Sequence, residues 1–472
     1  MKLVNTLKEI VTETKEKKEM INNNKKFIEI ISIIICAISL IGWITYCEIS
    51  YFSLMILGII TTLYFEDTKY VFLCSMGILF SNNKGFYSDS FPIALAISLC
   101  GVIFVGVFHL IKKRKELNKP YRYIILLLFS VVELIPLIWN YNIVPDDQKI
   151  LYLMFFQNFL YLFLYLFFFC TNRSEFYESI KTFFYYFGLL LAFECIISYL
   201  RLDLPYDEYP FFYRDYVVGW GVCNEAGILL LFVSPFFIIK LKECNNIKGK
   251  VMILLSCLIY IAGIILTVSK GTILFFLLEI LMLVTYFVIK SKYRKKIIIS
   301  AISAFFIILS IIFLIYSPTI VWNKTIEFVK YFLTRDSGRY ELWEKGIKIW
   351  LQNPASVIFG SGYVNAFYWS NSFGIKAYVF IVYHCTIIQI LASFGIVGII
   401  LFLLHIIGKY SQIRKLDKFS FCIILISYIA VDLYGLIDNT YFMWYYMYPL
   451  IVFISSVDAK FMKNHIGFVD RL

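Results

Sequence analysis

The sequence predicts an all-α, polytopic membrane protein of about 12–14 transmembrane helices with one large, partly helical outward loop. Three observations carry this expectation. Of 472 residues, 60% are hydrophobic and only 16% charged, a balance too apolar for a soluble domain. Apolar runs of about 20 residues follow one another, each long enough to cross a bilayer as a helix. Short basic clusters fall between alternate runs, as the positive-inside rule expects of a multi-pass chain.

In chain order, residues 1–26 form a charged, Lys-rich segment on the cytoplasmic surface. Apolar runs follow at 27–47, 50–66, 70–81, 91–111, 122–139, 150–170, 181–200, 223–241, 251–268, 271–290, 297–316, 381–407, 419–437 and 441–457. The short second and third runs read either as a re-entrant pair or as one hairpin. The basic stretches around Lys112 to Arg122, Arg173 to Lys181, Lys240 to Lys250, Lys290 to Lys296 and Lys409 to Lys418 share one side, which is assigned to the cytoplasm. The transmembrane blocks are then 27–316 and 381–457, with both termini and the tail 458–472 inside. Two outward loops are long: 201–222, acidic and aromatic, and 317–380. Loops of that length are functional or disordered, and the second is too apolar for disorder.

The net charge of +12 sits in those short clusters, so it marks topology and implies no nucleic-acid partner. Eleven cysteines are scattered without a CxxC pair, so they read as small apolar residues and not as a disulfide or metal framework. No P-loop, HExxH, GxSxG or Rossmann fingerprint is present, and the expectation is chemistry without nucleotide, metal or cofactor.

The large outward loop carries the most informative stretch, Asp336 to Trp350. On a helix, Arg339, Leu342, Trp343, Gly346, Ile347 and Trp350 share one face, and Glu341, Glu344, Lys345 and Lys348 the other. Asp336 or Ser337 is placed to cap the start. Arg339 breaks the pattern: it is a cation on the apolar face in the first turn, where the helix dipole disfavours it. The helix alone leaves two readings open. Arg339 either snorkels over apolar surface or joins the first-turn N–H groups in holding a phosphate or carboxylate. The loop's tail, Gly360 to Trp369, reads as a Gly-hinged aromatic turn.

Other candidates lie at outward ends of runs. His384 opens the run 381–407, either as an interfacial anchor or as a proton-transfer group. Lys270, in a tight outward turn, either snorkels or supplies a second cation to a pyrophosphate clamp. Glu225 begins the run at 223 as a helix-start carboxylate, and Arg214 precedes it in the smaller loop. Glu133, Glu194, Glu279 and Asp432 lie inside runs, where an acid is costly and function is the default reading.

Several of these stretches resemble the bacterial O-antigen polymerase and O-antigen ligase family of membrane glycosyltransferases. The match lies in Thr267-Val-Ser-Lys-Gly271, Ser337-Gly-Arg339 with Leu342-Trp343, Pro354 with Phe359-Gly-Ser-Gly362, and Tyr383-His384 leading to Leu391-Ala-Ser-Phe-Gly395. The family usually has arginine at the position of Lys270 and often asparagine at that of Cys385. The resemblance implies transfer of a glycan from undecaprenyl pyrophosphate to a sugar hydroxyl at the outer face of the bacterial plasma (inner) membrane. It implies His384 as the base, with Glu225 in reserve. Arg339 and Lys270, with Arg214, would hold the donor pyrophosphate, and Tyr363, Phe367, Tyr368 and Trp369 would either line the glycan path or anchor the interface. The implied partners are the undecaprenyl-pyrophosphate-linked glycan and membrane lipid, with a chain-length regulator and a flippase as candidates. A repeat-unit polymerase is preferred to a ligase, and both to a flippase.

Overall fold

The computed structural model describes residues 13–14, 16–83, 93–112, 123–135, 157–171, 175–201, 218, 223–316, 339–362, 367–370, 377–380, 383–441 and 443–469. Helix stands at every predicted apolar run. In order these are α1 (Lys25–Thr45), α2 (Ile49–Phe65), α3 (Lys69–Phe80), α4 (Ile93–Lys112), α5 (Tyr123–Leu134), α6 (Gln157–Thr171), α7 (Phe176–Leu200), α8 (Cys223–Val233), α9 (Pro235–Glu243), α10 (Ile247–Leu266), α11 (Lys270–Lys290) and α12 (Arg294–Tyr316). The outward loop contributes α13 (Arg339–Trp350), α14 (Pro354–Phe359) and strands β1 (Phe367–Ser370) and β2 (Ala377–Phe380). Three helices close the chain: α15 (Thr386–Ile413), α16 (Lys418–Tyr434) and α17 (Trp444–Val469).

Among the described residues, seven helices are long and apolar enough to cross a membrane, with α8 and α9 counted together. The protein is an all-α, multi-pass membrane protein. Its outer surface leaves Phe104, Leu258, Leu281, Phe306 and Ile400 in the open, as suits helices whose surrounding solvent is hydrocarbon. The pair α8–α9 is the most buried of the seven. Every residue from Glu225 to Val233 is buried, and α7, α11, α16 and α17 pack around α8. A helix that is apolar on all sides belongs at the centre of a bundle. Gly227 permits its closest approach: a Cβ there would lie 1.7 Å from Thr272 Oγ1 on α11.

The structure corrects the sequence reading in four places. The run at 381–407 is not one straight span. Its helix starts at Thr386, and Gly395, at φ 63° and ψ −157°, breaks it. That backbone region is open essentially to glycine alone. The bend is sharp, because Gly398 lies against Ile390, eight residues earlier and about 12 Å away along a straight helix. The break frees the carbonyls of Ala392 and Ser393, which accept the N–H groups of Ser361 and Gly362 at 2.8 and 2.9 Å. Gly360, at φ 74° and ψ −178°, occupies the same glycine-only region directly against the bend. A Cβ on Gly360 would lie 2.2 Å from Phe394 N, and one on Gly395 would lie 2.4 Å from the Ile358 carbonyl oxygen. The loop is thus clasped to the broken helix, backbone on backbone, by two glycines that admit no side chain. Gly360→Ala or Gly395→Ala should each cost about 1–3 kcal/mol in backbone strain, before any overlap is counted. Thermal unfolding in detergent, followed by size exclusion, should show both variants melting earlier, and an unchanged midpoint would contradict the clasp.

Secondly, the aromatic turn at 360–369 contains a strand. β1 pairs antiparallel with β2 in the register Phe367↔Phe380 through Ser370↔Ala377. Thirdly, α17 continues to Val469, past the expected end at 457. Lastly, Ile347 does not share the buried stripe of α13; it is 41% exposed. Gly346 is the buried contact, meeting Tyr383 and Ile388 where a Cβ would stand. The stripe therefore runs through Trp343, Gly346 and Trp350, and Ile347 lies a further 100° around the helix. The polar face is as expected, with Lys348 bonded to Glu344 at 2.6 Å; that hydrogen bond holds the Glu344 carboxyl below the usual carboxylate range. Beyond α13, Asn353 caps α14 by accepting the Ser356 N–H at 2.9 Å, and Pro354 follows at the first helical position. The Trp350 indole N–H reaches the Val357 carbonyl at 3.0 Å and ties α13 to α14. The proposed caps Asp336 and Ser337 lie outside the described residues.

Candidate functional site

Four turns that are far apart in sequence meet at one end of the bundle. They are the start of α8, the turn between α10 and α11, the residues before α15, and the link between α16 and α17. At their centre His384 Nδ1 stands 3.1 Å from Asp438 Oδ1. His384 is 37% exposed at its side chain and Asp438 only 1%, so the imidazole has one edge on a buried carboxylate and another toward open space. Asp438 is held by further donors. Asn224 Nδ2 donates to its Oδ2 at 2.9 Å, and the Asn439 backbone N–H donates to Oδ1 at 2.8 Å.

Asn224 is oriented in turn by the α10–α11 turn. Ser269 Oγ donates to Asn224 Oδ1 at 2.7 Å, which turns the amide nitrogen toward Asp438. The same hydroxyl accepts from Thr272 Oγ1 at 2.9 Å and from the Thr272 N–H at 3.3 Å, capping α11. It also lies 3.3 Å from Tyr434 Oη. The link between α16 and α17 is tied to α15 through Thr386: its N–H donates to Gly435 O at 2.7 Å, and its Oγ1 donates to Asp438 O at 3.2 Å. Two residues beside this network hold left-handed backbone, His384 at φ 47° and Val268 at φ 57°. For β-branched Val268 that conformation is strained, and such strain gathers at functional sites.

The chemistry of this arrangement follows from the partners. A buried carboxylate on Nδ1 fixes the tautomer with its proton on that nitrogen, which leaves Nε2 as an acceptor. It also stabilises the imidazolium that forms when Nε2 takes a proton. An imidazole held in this way has the geometry that a general base needs. α8, α11 and α15 all begin at this cluster of turns, and the positive ends of their helix dipoles favour negative charge there.

The proposed site residues divide as follows. His384 is at the centre. Lys270 is half-buried as the first residue of α11, next to Ser269, and Glu225 is buried in the first turn of α8, next to Asn224. Arg339 is half-buried as the first residue of α13 and has no carboxylate partner among the described residues. Arg214 and Tyr363 lie outside the described residues. Phe367, Tyr368 and Trp369 form β1, of which only the backbone is described. Of the acids inside spans, Glu279 accepts from Ser234 and Ser427, and Asp432 from Lys409 and Tyr410, so both serve buried helix contacts. Glu194 is buried in α7, and the Glu133 side chain lies outside the described set.

Residues 255–403 match the family model described as O-antigen ligase. The match takes in the Ser269–Lys270 turn, α13, the glycine clasp and His384. The match covers less than half of the chain, and over it the protein is similar to that family. No curated protein matches the chain. The matched residues stop short of Asp438 and begin after Asn224, so the two side chains that complete the base lie outside the O-antigen ligase match. Sequence reasoning missed both. The signal was present for Asp438, since Asp438-Asn-Thr440 is the polar interruption between two apolar runs at an outward turn. For Asn224 only its place at the start of a buried helix pointed the way.

Proposed function

We propose that this O-antigen ligase-type protein is a metal-independent glycosyltransferase that polymerises undecaprenyl-pyrophosphate-linked oligosaccharide repeats at the outer face of the plasma membrane. The observation that carries the reading is the His384–Asp438 pair, braced by Asn224 and Ser269 from two other segments at one end of the bundle. In this reading the acceptor sugar hydroxyl loses its proton to His384 Nε2 as its oxygen attacks the anomeric carbon of the donor glycan. The bond from that carbon to the lipid pyrophosphate breaks, and the pyrophosphate leaves with the electron pair. Lys270 and Arg339, with Arg214, would meet the developing charge. The activated leaving group is already on the lipid, so the step needs no nucleotide.

The second reading is transfer of the finished lipid-linked glycan to a surface acceptor, such as a lipid A core or a protein; the matched family description favours it. A flippase ranks below both, because the candidate cations lie at the ends of the spans and in one dominant loop, whereas a flippase calls for cations inside a central cavity.

Glycan display in a deletion strain separates these readings, with wild type and His384→Ala supplied at matched membrane levels. Loss of general-base catalysis should reduce transfer by about 10²–10⁴-fold. A polymerase variant should leave single repeats on the surface acceptor where the wild type gives a ladder. Loss of all surface glycan, with long lipid-linked chains on the outer face, would assign a ligase. Short lipid-linked units stranded on the cytoplasmic side would replace the enzyme by a flippase.

A further inference from the structure

We infer that Gln389 is a positioning residue, whose side-chain carbonyl sets the distance between the two halves of the His384–Asp438 pair. This inference rests on the reading of His384 as the base. Gln389 lies in the first turn of α15 and is fully buried, as is Asn439. Its Oε1 accepts two hydrogen bonds. One comes from the backbone N–H of Tyr383 at 3.1 Å, and the other from Asn439 Nδ2 at 2.9 Å. Tyr383 directly precedes His384, and Asn439 directly follows Asp438. One oxygen therefore joins the segment that carries the base to the segment that carries its carboxylate.

The join matters because neither segment is held there by regular structure. His384 has a left-handed backbone and sits outside α15. Asp438 sits in the link between α16 and α17. The Tyr383 N–H fixes which end of the Gln389 amide faces it, since only the oxygen can accept. Asn439 is then fixed as the donor, and its own backbone N–H already holds Asp438 Oδ1. The remaining amide atoms, Gln389 Nε2 and Asn439 Oδ1, are buried without a partner among the described residues. The unpartnered donor is a cost to stability, which the two hydrogen bonds accepted by Oε1 offset, so a kinetic readout is needed to tell positioning from a purely structural role.

Two substitutions separate the acceptor from the rest of the side chain. Gln389→Met keeps length and volume but removes the oxygen. Gln389→Glu keeps an acceptor oxygen and gives up only the nitrogen that has no described partner. The assay is transfer by the purified full-length protein in nanodiscs, with lipid-linked glycan extracted from the deletion strain. The expected result is a kcat for Gln389→Met lower by about 10–100-fold, the scale of loss from misplacing a catalytic group. KM should stay close to the wild-type value, and Gln389→Glu should recover most of kcat. A wild-type kcat in Gln389→Met would overturn the inference, and so would Gln389→Glu performing no better than Gln389→Met. If Gln389→Met does not accumulate in the membrane, Asn439→Ser, which removes the Nδ2 donor, is judged by the same kcat loss at constant KM. His384→Ala runs in parallel. Wild-type turnover there defeats the base itself, whereas an inactive His384→Ala beside a fully active Gln389→Met defeats only the positioning role.

Discussion

Asp438→Asn should lower turnover by about 10²–10⁴-fold while the protein still folds and reaches the membrane, with a melting temperature lowered by one lost buried hydrogen bond. The loss of turnover is chemical. An asparagine has the same shape, but its amide can present a donor to His384 Nδ1, which puts the imidazole proton on Nε2 and removes the acceptor needed for the sugar hydroxyl. Even with its oxygen toward the ring, it brings no charge to stabilise the imidazolium. Asn224 and the Asn439 N–H now both donate to the carboxylate, and one of those bonds would face an amide nitrogen instead. The measurement is the initial rate of glycan transfer at matched protein level. An Asp438→Asn protein within threefold of wild type would remove the carboxylate from the mechanism, whatever His384→Ala does.

Arg339→Ala is expected to abolish nearly all transfer, with Arg339→Lys intermediate. Arg339 is half-buried in the first turn of α13, where a cation is disfavoured by the helix dipole, and no carboxylate offsets it among the described residues. The proposed donor pyrophosphate would supply the anion that such a cation calls for. Gly346 seats α13 against Tyr383, beside the base, and Arg339 lies about 10 Å from Gly346 along the helix axis. A guanidinium binds a phosphate through two parallel hydrogen bonds, and an ammonium keeps the charge without that fork. Glu341→Ala, on the exposed face of the same helix, is the control and should stay within about twofold, as surface changes away from a site do. Arg339→Ala with normal ladder length would return Arg339 to snorkelling.

Much of this protein was legible in the order of its residues. Hydrocarbon forces every span into helix, so apolar length alone located α1 to α12 and α15 to α17. The same periodicity placed Trp343, Gly346 and Trp350 on one face of α13, because a helix face depends only on local spacing. His384, Lys270 and Arg339 stood out locally as polar residues where apolar ones were expected.

What the sequence could not supply was anything decided by distant contact. The break at Gly395 is invisible in an apolar run, since its cause is Gly360, 35 residues earlier, packed against it. Asp438 and Asn224 carry no local signal as strong as that of His384, because each is an ordinary polar residue at a helix end until folding brings them together across 214 positions. Gln389 reads as one amide inside a helix, and only the approach of Tyr383 and Asn439 makes its oxygen a joint. Local order sets which segments cross the membrane, through hydrophobicity and helical period. Which of their ends share a proton is set by packing between helices, and packing is a property of the tertiary structure alone.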